Sequence, residues 1–133
     1  MRIILAALFM TLATQVWSAE FFVLPGTKTL LVMGETKGTD VEKLEQYITE
    51  QAIDSLILKG PGGSLEAGYA IADIIMKNGI SITIPENTDC ASACSMIFTA
   101  GKVRVMEAGS RLGFHLPFVE IRGAYDAHKY CGT

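Results

Sequence analysis

The sequence predicts an α/β fold with a mostly parallel sheet, and three observations lead there. Short apolar runs closed by glycine or proline alternate with amphipathic helical stretches, those stretches carry start and stop signals, and no internal repeat or low-complexity linker interrupts them. Strands separated by helices require crossover connections, which pair them in parallel.

The elements follow in chain order. "TLLVMGE" (29–35) is an apolar run ending in glycine and reads as a buried strand. In "TDVEKLEQYITEQAI", Thr39 with Glu42 makes a capping box, and Val41, Leu44, Ile48 and Ala52 share one helical face. "SLILKG" (55–60) is a second strand with "PGGS" as its sharp exit. A second helix is expected over 64–78, with Glu66 in its first turn, Lys77 in its last and Gly79 to end it. "ISITI" (80–84) is a third strand ended by Pro85, "ASACSMIFTAG" a third helix, and "KVRVM" and "RLGFH" two further extended pieces.

Residues 1–19 stand apart. Arg2 supplies a positive start and "IILAALFMTLAT" an apolar stretch of about a dozen residues, the pattern of a secretory signal. That stretch is too short for a stable membrane span. Cleavage is expected after Ser18 or Ala19, leaving one domain over about 20–133 in the periplasm or outside the cell. The 133-residue chain has a net charge of −3, spread without a basic stripe, which argues against a nucleic-acid partner.

Three cysteines in an exported chain permit one disulfide. Cys90 and Cys94 can bridge if the backbone at Ser92 brings them together, and a bridge from either to Cys131 is the other option. Neither His115 nor His128 completes a zinc-ligand spacing, so no metal is expected.

Three pieces could carry chemistry together: "GPGGS" (60–64), Ser92 and His115. A serine hydroxyl needs a base within hydrogen-bond reach to act as a nucleophile, and backbone N–H donors to hold the oxyanion. Gly62 and Gly63 leave the backbone bare at a strand end, and Ser92 sits in the first turn of an apolar helix, with the Ala93 N–H beside it. Strand C-termini and helix N-termini meet at one edge of a parallel sheet, so one shared cleft is permitted. Taken singly, each has a plainer reading as a turn, a cap or a packed histidine.

Over about 29–117 the chain resembles the ClpP/crotonase superfamily, specifically the proteolytic subunit of Clp protease and its exported relatives. The stretches that carry the resemblance are "LILKGPGGSLEAGYAIADII", "CASACSMIFTAGKVRV" and "SRLGFHLP". It implies repeated ββα/βα units around a mostly parallel sheet, truncated at the C-terminus. It also implies Ser92 as nucleophile, His115 as general base, and the backbone of Gly62 and Ala93 as oxyanion donors. In that family the acid that orients the histidine comes from a segment this chain does not contain. Glu120 and Asp126 are the acids that follow His115, and Asp126, in "GAYDAHKY", is the candidate. Lys59 beside "GPGG" is the one lysine to test as an alternative base.

The expected function is an exported serine peptidase. It would work without ATP or a cofactor on peptides or unfolded protein, through an acyl-enzyme, as a homo-oligomer. The rival is a non-catalytic module that binds peptide or a partner in the same cleft. A crotonase-like acyl-thioester enzyme fits the fold but not the serine and histidine.

Overall fold

A computed structural model describes residues 18–116. Residues 1–17, which hold most of the expected signal, and Asp126 and Cys131 lie outside the described residues. Seven strands and three helices follow in the order β1 (Glu20–Val23), β2 (Thr29–Thr36), α1 (Thr39–Gln51), β3 (Ser55–Gly63), α2 (Leu65–Asn78), β4 (Ser81–Ile84), β5 (Asp89–Ala91), α3 (Ala93–Thr99), β6 (Arg104–Met106) and β7 (Arg111–Gly113).

The main sheet has the order β1-β2-β3-β4-β6, antiparallel between β1 and β2 and parallel elsewhere. β3 belongs to two layers at once. Its first half pairs with β4 through Ser55↔Ser81 to Ile57↔Thr83, and at Gly60↔Cys90 it turns to pair with β5, which pairs with β7. Each later repeat therefore gives one strand to the main sheet (β4, then β6) and one to the short sheet (β5, then β7). This is the mostly parallel, repeated α/β architecture the sequence leads one to expect.

The core lies between the main sheet and the helices. Leu30, Leu56, Leu58, Ile82 and Ile84 pack from the strands against Leu44 of α1, Ile71, Ile74 and Ile75 of α2, and Ile97 and Phe98 of α3. α2 starts where its sequence signals place it. Ser64 accepts a hydrogen bond from the Ala67 N–H at 3.2 Å, and Gly79 closes the helix in the left-handed conformation at φ 61°.

Four local details differ from the sequence reading. The capping box at Thr39 does not form: Gly38 is the N-cap, and the Asp40 carboxylate reaches back to accept the Lys37 N–H at 2.7 Å. β1 is not among the expected elements, because "EFFV" follows the apolar N-terminal stretch without a turn signal. Its approach is packed into the domain, with Ser18 bridging Glu35 and Ala19 buried. β3 does not stop at Gly60 but continues through Pro61, Gly62 and Gly63, because the last two pair with Glu35 and Thr36 of β2. Finally, "ASACSMIFTAG" is not one helix. Its first residue, Ala91, ends β5, and α3 begins only after Ser92.

Candidate active site

Ser92 is the joint between β5 and α3, and its backbone is held at φ 56°, ψ −124°, a region that side-chain-bearing residues rarely occupy. Such a conformation costs on the order of 1–3 kcal/mol and persists only where neighbours over-determine it. Three sets of contacts do so here. The Ser92 N–H donates to the Gly113 carbonyl at 2.8 Å, and the Ser92 carbonyl accepts the Met96 N–H at 3.1 Å. Fully buried Ser95 offers its hydroxyl to the carbonyls of Cys90 (2.6 Å) and Gly113 (2.8 Å). A disulfide joins Cys90 to Cys94, with Cα atoms 5.2 Å apart, and so spans Ser92 from β5 to α3. Both cysteines are buried.

The glycine loop closes on this joint. A Cβ built on Gly62, whose φ is 93°, would lie 2.6 Å from the Ala91 carbonyl oxygen and from the Ser92 Cβ, and 2.9 Å from the Ala93 nitrogen. No side chain fits between the two segments, so the bare backbone of Gly62 meets Ser92 and Ala93 directly. The Ala93 N–H belongs to the first turn of α3, where helix geometry supplies no intrahelical acceptor.

His115 arrives on the chain just beyond β7, whose register against β5 (Cys90↔Leu112, Ala91↔Gly113) fixes where it emerges. Its Nδ1 lies 2.9 Å from the Leu116 carbonyl oxygen. A carbonyl can only accept, so this bond requires Nδ1–H and leaves Nε2 with the lone pair in the neutral ring. At the outer end of the same strand pair, Arg111 donates two hydrogen bonds to Asp89, at 2.7 and 2.9 Å. The Arg111 hydrogen bonds hold the Asp89 carboxyl below its ordinary range, and Asp89 in turn raises the guanidinium of Arg111.

Ser92, Gly62, Gly63 and His115 line one open cleft of about 640 Å³, together with Glu35, Leu65, Tyr69, Met96 and Phe114. Ala93 lies against it through its contact with Gly62. Lys59 lines a different cleft, with Ser18, Met33 and Asp89, and is not among the residues lining the cleft of Ser92. Among the described residues no group of three or more His, Cys, Asp or Glu side chains could hold a metal ion. Sequence reasoning did not single out Glu35, Ser95 or the Tyr69–Met96–Phe114 wall. The available signals were the glycine that breaks the alternation of β2, a serine inside an apolar helix, and an exposed tyrosine four residues after Leu65 on α2.

No protein-family profile matches the chain, and no curated protein matches it by sequence. Its fold does match solved structures. A single-residue variant of ClpP1 from Listeria monocytogenes superposes with a TM-score of 0.61 at 24% identity, over 69% of this chain and 58% of that one. A variant of the 1510-N membrane-bound stomatin-specific protease in complex with a substrate peptide gives 0.59 at 22% identity, over 71% and 48%. The 1510-N membrane protease specific for a stomatin homolog from Pyrococcus horikoshii gives 0.52 at 23%, over 63% and 46%. The chain thus spans about half the length of these structures.

Proposed function

From a chain with the fold of the ClpP-like proteases, we propose an exported serine peptidase that cleaves peptide bonds through Ser92 and His115 without ATP. The observation that carries the reading is the joint at Ser92: a serine forced to positive φ, against a glycine backbone with no room for a side chain, in one cleft with a histidine. In the proposed reaction the Ser92 Oγ attacks the scissile carbonyl carbon while His115 Nε2 takes its proton. The carbonyl oxygen becomes an oxyanion held by the N–H groups of Gly62 and Ala93. Collapse breaks the C–N bond, the His115 proton goes to the leaving amine, and water, deprotonated by the same nitrogen, releases the acyl group.

The orienting acid of related triads has Asp126 as its sequence candidate, outside the described residues. The Leu116 carbonyl already selects the tautomer that the base requires. Export is supported by residues 1–19 and by a disulfide within the domain, which persists in an oxidising compartment. No helix among the described residues is long and apolar enough to cross a membrane. Homo-oligomerisation is supported by exposed Val103, Val105 and Met106 on and beside the edge strand β6.

A second reading, a non-catalytic module that binds peptide in the same cleft, is favoured by the exposure of His115 at the cleft rim. The two separate on incubation of an unfolded protein with purified chain in the absence of ATP. The peptidase yields fragments that Ser92→Ala does not. Equal, background-level fragmentation by both proteins rejects the peptidase.

A further inference from the structure

Glu35 reaches the Ser92 cleft through an irregularity in the sheet. β2 and β3 run in register from Thr29↔Ser55 to Met33↔Lys59, but the next pair is Glu35↔Gly62, so β3 carries one residue more than β2 across this step. A bulge of this kind re-aims the side chains beyond it. Two glycines make it possible: Gly34 at φ 115°, and Gly60, where any Cβ would collide with the Gly34 carbonyl oxygen. Beyond the bulge the Glu35 Cγ lies over Gly63, 3.0 Å from where a Cβ would stand. Glu35 is thereby paired with the very glycine proposed as an oxyanion donor.

The charge of the cleft follows from its lining. Among the described residues Glu35 is the only acid that lines it, and the rest is Pro61 and glycine, the apolar wall of Leu65, Tyr69, Met96 and Phe114, and the neutral or titratable Ser92, Thr99 and His115. The Glu35 side chain is 51% exposed, and its partner Lys37 stands off at 3.6 Å, beyond an ordinary hydrogen bond. A carboxylate has about four acceptor positions, so a second cation can join it without displacing the first.

We infer that Glu35 is a specificity-determining residue: the cleft selects peptides that carry a cationic group close to an apolar residue. Glu35 takes the cation, and the wall of Tyr69, Met96 and Phe114 takes the apolar side chain. The cation is a lysine or arginine side chain, or the free amino terminus of the peptide. This inference rests on the cleft being a peptide site, as proposed above.

The test is calorimetric binding to Ser92→Ala protein, so that no peptide is consumed. Short peptides share one leucine and differ in the neighbouring residue, which is Arg, Gln or Glu, and each is made with a free and an acetylated amino terminus. Arg peptides should bind about threefold to fivefold tighter than Gln peptides and roughly tenfold tighter than Glu peptides, with the differences shrinking in high salt. Glu35→Gln should abolish the ranking, and Glu35→Lys should invert it, which a misfolded protein could not do. A preference carried by the free terminus alone identifies the α-ammonium as the cation. The inference is overturned if Glu35→Gln keeps the ranking, if no ranking exists, or if none of the peptides binds. Labelling of intact Ser92 by a fluorophosphonate, measured separately, reports on the peptidase reading alone. Charge selection without labelling therefore rejects only the peptidase, and labelling without charge selection rejects only the role of Glu35.

Discussion

Ser92 and Gly62 constrain each other. The serine holds φ at 56°, and the glycine, at φ 93°, leaves no volume for a Cβ beside it. Gly62→Ala should therefore strain its own backbone and push against Ala91 and Ser92. A loss of about 1–3 kcal/mol in denaturant unfolding is expected, together with loss of reactivity at Ser92. Full stability and reactivity in this variant would show that the loop tolerates a side chain. The sequence singled out both residues through the resemblance carried by "LILKGPGGS" and "CASACSMIF", and the fold brings the two segments into contact. Ser95 was not legible in the sequence. A serine in "ACSMIF" reads as a small packing residue until the fold brings the carbonyls of Cys90 and Gly113 to its hydroxyl. Glu35 was hidden for a related reason: period-two alternation says nothing about a bulge made on the neighbouring strand.

The β5–α3 joint depends on the bond between Cys90 and Cys94. Closing so short a ring contributes about 2 kcal/mol by the chain-entropy estimate, and the bond also fixes the two ends of the segment bearing Ser92. The double variant Cys90→Ala/Cys94→Ala should lose about that much stability, and its Ser92 should react more slowly with an active-site probe. Unchanged reactivity would mean that the hydrogen bonds of Ser92 and Ser95 suffice. The sequence reading starts the third helix at Ala91, ahead of Ser92, whereas α3 begins only after it. "ASACSMIF" contains no residue that signals a break, and the break comes from the positive φ of Ser92, which tertiary contacts impose. β5 is clipped to β7 by Asp89 and Arg111. The Asp89 carboxyl is held below its ordinary value by Arg111, so the clip's contribution is complete above the ordinary carboxylate range. It is lost as pH falls through the lowered value. Stability should decline over that acid window, with a smaller decline in Arg111→Gln. The pair is exposed, so the difference should be small and should fade with salt. Identical acid profiles for the two proteins would remove the clip from the account.

At the scale of the whole molecule, one strand organises the rest. β3 joins the main sheet to the short one at Gly60, and its last residues bring the glycine backbone to Ser92 while β7 delivers His115 from the other side. The alternation of strands and helices made this architecture readable from sequence, and α2 announces both of its ends through Ser64 and Gly79. The two-layer split was not readable, because β5 and β7 are only three residues long and pair across distances that no local pattern encodes. The solved structures of ClpP-like proteases share this fold at 21–24% identity, a level at which chemistry has to be tested on the protein itself. The most direct measurement is labelling of the purified protein by a fluorophosphonate, compared with Ser92→Ala and His115→Ala. The wild-type protein should label at Ser92, Ser92→Ala should not label, and His115→Ala should label far more slowly. A folded wild-type protein that does not label, or labelling that survives Ser92→Ala, would contradict the peptidase reading.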